Sequence, residues 1–366
     1  MNALSVDFNL MANKHAWLLA DIDKKKTHKS TVMSTFSCGG GSTMGYKLAG
    51  YDVICANDID PEMAWHYKKN HNPKHYFLCP IKDLLKKDLP SDLYNLDILD
   101  GSPPCSTFSI AGNREKDWGK LKHFREGQQE QVLDDLFFDF LALADKLQPK
   151  IIVAENVKGM LIGNAKGYTK KVVETLKEMG YRPQVFLLDA SLCNVPQKRQ
   201  RVFFCAIKNT IEAPILKLNP NSKVVTCGEA CLDLQNLTDE EIVETKPNGT
   251  ILKYWHLTKK GRDFSEACKK LTGKDSNFSV NRLSDLKPSC TLTTKWGCIS
   301  HWDTPRTLTL REYTRLSSYP DDYVFKTHQI GKYLMGMSVP PKLMEYVASE
   351  IYTQWLNPLK LEETSK

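Results

Sequence analysis

The feature that most constrains this chain is an alternation. Between Val32 and about residue 207, short apolar runs are separated by amphipathic stretches. The runs are TVMSTF, DVICAND, LDILDG, KIIVAENV, QVFLLDA and RVFFCAI, and the patterns between them include YKLAG, PEMAWHYKKN, VLDDLFFDFLALADKL and YTKKVVETLKEMG. Short apolar runs suit buried strands, and apolar residues spaced three and four apart suit helices with one buried side. Strands alternating with helices of this length predict an α/β fold: a parallel, doubly wound sheet with helices on both faces.

The alternation stops near residue 208. Residues 209–300 are rich in Lys, Asn, Thr and Ser, with weak periodicity, and predict an inserted, loop-rich domain with little core of its own. Ordered patterning returns from Thr307 with LREYTRLSSYPDDY and then PPKLMEYVASEIYTQWL, helical by its apolar spacing. The expected organisation is therefore a polar N-terminal arm over 1–30, outside the main fold, and one domain split into 31–208 and 301–366 around the insertion at 209–300.

Composition narrows the class. Of 366 residues, 41% are hydrophobic and 25% charged, as in soluble globular proteins, and no apolar run is long enough to span a membrane. The start, MNALSVDFNLMANKHAW, lacks a basic region followed by an apolar one, so a cytoplasmic location is expected. The net charge of +7 suits a polyanionic partner without proving one. The 11 cysteines, an odd number at irregular spacings, read as reduced thiols rather than a disulfide framework. Cys227 and Cys231 are the closest pair, and with no second pair at zinc-ligand spacing no metal site is expected.

Four constellations carry chemistry. Phe36-Ser-Cys-Gly39-Gly40-Gly41 closes the first apolar run, where glycines let the backbone turn and approach a ligand at the carboxyl edge of a sheet. The next run ends in Asn57-Asp58-Ile59-Asp60, with an acid placed to accept hydrogen bonds from a ribose diol; a plain glycine turn and a helix-capping Asp would look the same. Asp100-Gly-Ser-Pro-Pro-Cys105-Ser-Thr-Phe-Ser109 follows the run LDIL, and its two prolines make a rigid loop that can present a thiol nucleophile. Ala154-Glu155-Asn156-Val157 places a carboxyl at a strand end, where it is costly to bury without purpose, although Asn156 could equally cap a helix. Gln197-Lys-Arg199-Gln-Arg201 leads into the last run, with Arg199 and Arg201 on one side; a solvated basic edge strand is the alternative.

In this order, these blocks resemble the cytosine-5 DNA methyltransferases of bacteria and phages over roughly residues 32–208 and 285–355. The likeness extends to Arg306-Thr-Leu-Thr-Leu-Arg311-Glu312-Tyr-Thr-Arg315-Leu316 and Gly336-Met-Ser-Val-Pro340-Pro341. The resemblance implies an S-adenosylmethionine-dependent methyltransferase sheet of Rossmann-like type, with the insertion as target recognition domain. It implies Cys105 as nucleophile towards C6 of cytosine, Glu155 bonding N3 and the exocyclic amine, Arg201 on the base O2 and Arg199 close by. Phe36, Gly39, Gly40, Gly41, Asp58, Ile59, Ser338 and Val339 would hold the cofactor, S-adenosyl-L-methionine. Ser109, Asn156, Gln197 and Thr291 would meet the DNA substrate, Thr291 at the junction with the phosphate backbone.

The chain departs from the family pattern at Cys38, where the first glycine of FxGxG usually stands. It departs again at Cys79-Pro80-Ile81 in place of Gly-Asp-Ile, and at Met337 in place of Asn. The expected partner is double-stranded DNA, with no membrane and with a cognate restriction endonuclease as functional counterpart; one catalytic domain per duplex site suits a monomer. A transfer-RNA cytosine-5 methyltransferase of the same fold is the alternative, although its Cys-Phe-Thr signature is missing. A catalytically weak DNA-binding relative is the other.

Overall fold

Seven strands form the central sheet of the computed structural model, which describes residues 13–25, 28–104, 121–122, 131–132, 135–163, 165–275, 280–294 and 299–364. They are β1 (Thr31–Thr35), β2 (Asp52–Asp58), β3 (His75–Leu78), β4 (Ile98–Gly101), β7 (Ile151–Val157), β8 (Tyr181–Asp189) and β9 (Gln200–Lys208). Two residue pairs, β5 (Leu121–Lys122) and β6 (Gln131–Val132), make a separate antiparallel ladder. The sheet order is β3-β2-β1-β4-β7-β9-β8.

The first five of these strands pair in parallel, but β9 runs antiparallel to both β7 and β8. The expected doubly wound sheet is therefore mostly parallel, with β9 as its antiparallel strand. The segment 190–199 joining β8 to β9 is too short for a crossover, which takes a dozen residues or more, so β9 must return beside β8 in the opposite sense.

Strand side chains alternate between two cores, which is why the runs read as continuously apolar. Met33, Leu99, Ile152 and Phe204 face α3 (Ile81–Lys86), α4 (Leu136–Leu147) and α5 (Ala165–Glu178), where Leu84, Phe140 and Leu176 cover them. Val32, Ile98, Ile151 and Phe203 face the opposite side, which Tyr46 of α1 (Gly41–Leu48) and Met344 and Val347 of α12 (Pro341–Ile351) close. Helix α12 runs on through a π-helical turn, Tyr352–Leu356, into α13 (Asn357–Thr364). Helix α2 (Pro61–His71) follows β2 and is capped by the Asp60 carboxylate, which accepts from the Glu62 and Met63 amides.

Among its described residues the insertion carries four short α-helices, α6 (Cys227–Ala230), α7 (Asp239–Glu244), α8 (Gly249–Tyr254) and α9 (Ser265–Thr272). It also carries β10 (Arg262–Asp263), β11 (Asn281–Arg282) and β12 (Ile299–Ser300). It has more core than its composition suggests. Ile251, Tyr254, Trp255, Phe264, Ala267 and Cys268 form a cluster of their own, and the Arg282 guanidinium lies 3.5 Å from the centre of the Trp255 ring. Its first and last segments share a third core with Met44, Met63 and the helices α10 (Leu310–Leu316) and α11 (His328–Met337).

The stretch expected to lie outside the fold also docks where it is described. The Trp17 indole donates to the Ser318 carbonyl at 3.1 Å, Asn13 donates to the Ala230 carbonyl at 2.9 Å, and the Asp322 carboxylate accepts from the Leu19 and Ala20 amides. Among the described residues, no helix is long and apolar enough to cross a membrane.

Candidate active site

The carboxyl ends of β1, β2 and β4 open into one cleft, where an open α/β sheet places its ligands. Phe36, Cys38, Gly41, Asp58, Ile59, Ser338 and Val339 line it, together with Ser34, Thr35, Ser42, Met63, Ser102, Pro104, Tyr333 and Met337. Phe36 and Cys38 hold left-handed φ angles of 51° and 48°, a conformation that costs non-glycine residues energy and recurs at functional sites. The bend is held by Asp58, whose carboxylate accepts from the Cys38 amide at 2.7 Å and the Asp60 amide at 2.9 Å. Burial pushes the Asp58 carboxyl up to about 6, against those backbone donors.

The glycines divide by role. Gly41 lines the cleft, and a Cβ there would stand 2.3 Å from the Val339 carbonyl oxygen. Gly39 and Gly40 lie behind it. A Cβ at Gly39 would meet the Leu334 side chain at 2.4 Å, and one at Gly40, where φ is 84°, would meet the His71 imidazole at 2.2 Å. These two positions demand glycine because protein packs on them. Burial holds the His71 imidazole neutral, its pKa lowered to about 3.

At the tip of β7 the Glu155 carboxylate meets the Arg201 guanidinium at 2.9 Å, with both groups largely buried. Burial raises the Glu155 pKa, while the positive charges of Arg201 and Arg199 oppose the rise. The next residue, Asn156, donates from its amide to the Pro103 carbonyl at 3.0 Å. That bond ties the end of β7 to the Ser102–Pro104 loop, whose Ser102 and Pro104 line the cleft. The expected nucleophile Cys105 follows Pro104 directly; Cys105 and Ser109 lie outside the described residues.

A family model for C-5 cytosine-specific DNA methylases matches residues 30–353. This chain belongs to that family. Among curated members, the type II methyltransferase M.Eco47II of Escherichia coli is 29% identical over 90% of this chain and 81% of its own length. M.DdeI of Desulfomicrobium norvegicum is 27% identical over 87% of this chain and 88% of its own. The fold is also that of a solved prophage-encoded protein from E. coli, with a TM-score of 0.63 and 23% identity over 90% of this chain and 99% of the other. A Spodoptera frugiperda DNMT2 structure gives the same TM-score of 0.63 at 17% identity, over 88% of this chain and 99% of its own.

As a DNA cytosine-5 methyltransferase, the protein uses S-adenosyl-L-methionine. The lining of the cleft fits that molecule: the acids Asp58 and Asp60 at and just past the second strand tip, a row of hydroxyl oxygens from Ser34, Thr35, Ser42 and Ser338, of which Ser34, Thr35 and Ser338 donate into the protein, and apolar walls from Phe36, Ile59, Met63 and Val339. The Cys38 thiol lies 3.4 Å from the Met63 sulfur, and burial pushes it up to about 12, so this departure from the family's glycine adds a neutral, inert group.

Two residues expected at the methyltransferase's DNA substrate are turned inward. Gln197, 1% exposed, donates to the Leu316 carbonyl at 3.2 Å and accepts from the Leu292 amide at 3.2 Å, so both ends of its amide are used inside the protein. Asn156 is likewise engaged by Pro103 and by the Val157 amide. Thr291 is exposed at the edge of the insertion, its hydroxyl donating to the Lys198 carbonyl at 2.7 Å. Arg199, expected close to Arg201, gives its guanidinium to backbone carbonyls instead.

Sequence reasoning did not single out Ser34, Met63 or Tyr333 as lining residues. Met63 sits three positions after Asp60 and Tyr333 three before Gly336, so each is one helical turn from a recognised motif, which is the signal that could have found it. Nor did it assign a role to Asp100. That residue is 1% exposed, accepts from the Ser34 hydroxyl at 2.8 Å and the Tyr46 hydroxyl at 3.3 Å, and is pushed up to about 7 by burial.

Proposed function

We propose that this methyltransferase modifies C5 of a cytosine extruded from a specific duplex DNA sequence, through a covalent adduct of Cys105 with C6. It would act in the cytoplasm as a monomer of type II restriction-modification character, alone or beside a cognate endonuclease, as the named type II relatives suggest. The insertion, 209–300, serves as the target recognition domain and 31–208 with 301–366 as the catalytic one.

C5 of cytosine is a poor nucleophile within an aromatic ring. Addition of the Cys105 thiolate at C6 forms a C–S bond, breaks the aromaticity and leaves enamine electron density on C5, which takes the methyl group that S-adenosylmethionine supplies. Loss of the C5 proton and expulsion of the cysteine restore the ring. Glu155 shares its proton with N3 and bonds the exocyclic amine, a task helped by burial that raises its pKa. Arg201, already on Glu155, turns its remaining donors to the base O2. The target atoms are stacked in a duplex, so the base leaves the helix at a cost of a few kcal/mol.

The observation that carries this reading is the buried Glu155–Arg201 pair beside the loop that runs through Pro104 into Cys105. The test is transfer of labelled methyl groups from S-adenosylmethionine to unmethylated duplex DNA, with transfer RNA as a parallel substrate. Label is expected on C5 of cytosine in duplex DNA, absent with Cys105→Ser and reduced about 10²-fold or more with Glu155→Gln, the range lost with a general acid. Label on transfer RNA alone would replace the DNA reading. A folded protein that binds duplex and transfers nothing would mark it as a binding relative.

A further inference from the structure

The geometry points to Arg199 as a positioning residue that clamps the DNA-facing edge of the insertion to the lip of the cofactor cleft, so that duplex DNA and cofactor bind cooperatively. This rests on the duplex-DNA reading given above.

Arg199 is 2% exposed. One arm of its guanidinium donates to the Leu292 carbonyl at 2.9 Å, and the other donates to the Gly336 carbonyl at 2.9 Å and the Ser338 carbonyl at 3.0 Å. Arginine stays charged when buried, and its fork holds donors in a fixed plane, so the three carbonyls are held in one arrangement. Gly336 and Ser338 stand at the carboxyl end of α11, where the helix dipole favours a cation. The charge is therefore balanced by aligned carbonyls, and the Glu155 carboxylate stays with Arg201.

The three acceptors belong to two ligand sites. Leu292 follows Thr291, the exposed residue expected to meet the phosphate backbone. Ser338 and Val339 line the cofactor cleft. A second contact joins the same segments without Arg199. A Cβ on Gly336 would stand 2.6 Å from the Thr293 carbonyl carbon and 2.6 Å from the Thr294 amide nitrogen, so two stretches of backbone lie directly against each other. The contact continues past Val339 to Gly41 at the start of α1, where an added Cβ would meet the Val339 oxygen. Pressure on Thr291 from bound DNA is thus passed through packed backbone and the Arg199 fork to the residues that hold the cofactor. Linkage makes the effect reciprocal.

The probe is S-adenosylhomocysteine, its Kd measured by titration with and without saturating sheared, unmethylated plasmid duplex. In the wild type, duplex is expected to tighten the nucleoside about fivefold or more, the lower end of usual coupling between sites. Arg199→Lys keeps the positive charge near Glu155 and loses the fork, so coupling is expected to fall below about twofold, and Gly336→Ala is expected to do the same by prising the two backbones apart. A role through charge alone would leave Arg199→Lys coupled and overturn the clamp.

Should neither variant fold, hydrogen exchange on the wild type decides. Duplex alone should slow the Ser338 and Val339 amides, and unchanged rates would overturn the proposal. A wild type that binds duplex and nucleoside independently overturns it even if methyl transfer is seen. Coupling without any methyl transfer would sink only the catalytic reading.

Discussion

Asp58 combines two demands at one carboxyl. It fixes the left-handed bend at Cys38 by accepting two backbone amides, and it lines the cleft, where it is proposed to serve the ribose diol of the cofactor. Burial raises its pKa from 3.8 to about 6. A carboxyl whose pKa is raised on folding binds its proton more tightly in the folded chain. Its contribution to stability is therefore greatest in acid, and is lost as pH rises from 3.8 through about 6. On the proposed reading, cofactor binding runs the other way, because the ionised form is the better acceptor for a ribose diol. The Kd for S-adenosylhomocysteine is expected to weaken as pH falls through about 6, and Asp58→Asn should flatten that step while weakening binding at neutral pH. A step of equal size in Asp58→Asn would assign the titration to another group. His71 is not that group, since its pKa is lowered to about 3.

Helix α1 shows packing overriding propensity. Its sequence, GSTMGYKL, is poor in helix formers, yet it forms an eight-residue helix with seven buried positions. Gly45 explains why. A Cβ there would stand 2.4 Å from the Met344 Cβ and 2.7 Å from the Pro341 carbonyl oxygen, so α1 and α12 touch backbone to backbone. Gly45→Ala is expected to cost about 1–3 kcal/mol by overpacking, read as a lower urea midpoint at unchanged slope. An unchanged midpoint would mean that α12 can shift freely. The same contrast separates what local pattern could reveal from what it could not. DVICAND coincides with β2 because apolar residues bounded by polar ones mark a buried strand's ends. The sense of β9 was hidden, since RVFFCAI reads alike in either direction. β3 escaped notice because four residues at a half-exposed edge carry little pattern. In the site, Glu155 and Asp58 were legible because an acid after an apolar run is conspicuous. The inward turns of Gln197 and Arg199 depend on Leu292, Leu316 and Gly336, partners far along the chain, and no local signal reports them.

Across the whole molecule, ion pairs hold the insertion to the split domain, most of them with the acid on the insertion, while Lys260 of the insertion pairs with Asp303 of the body in the other sense. The insertion supplies Asp233, Glu241 and Glu244, the body supplies Arg315, Arg311 and Lys332, and the His328 ring also meets Glu244. Spending acids on this seam leaves a larger share of the insertion's lysines facing outward, which suits a surface that meets a polyanion. Arg315 is the centre of the seam. Only 4% exposed, it grips Asp321 at 2.5 and 2.6 Å and Asp233 at 2.8 Å, and donates to the Ala230 carbonyl at 3.1 Å. Asn13 donates to the same Asp233 at 2.8 Å, so three segments distant in sequence meet at the Asp233 carboxylate. Both aspartates keep about a third of their side-chain surface in water, which lowers the penalty of leaving them unpaired below that of a fully buried pair. Arg315→Met is therefore expected to cost on the order of 2 kcal/mol, the scale of hydrogen bonds to charged groups. The loss should fall on the seam: amide exchange over 227–234 should quicken and duplex binding weaken, while S-adenosylhomocysteine binding to the free protein stays the same. Among the described residues, the side-chain partners of Arg315 lie outside the cofactor cleft, so a matching loss of nucleoside affinity would show that the hub supports the catalytic body as a whole and not the insertion's attachment.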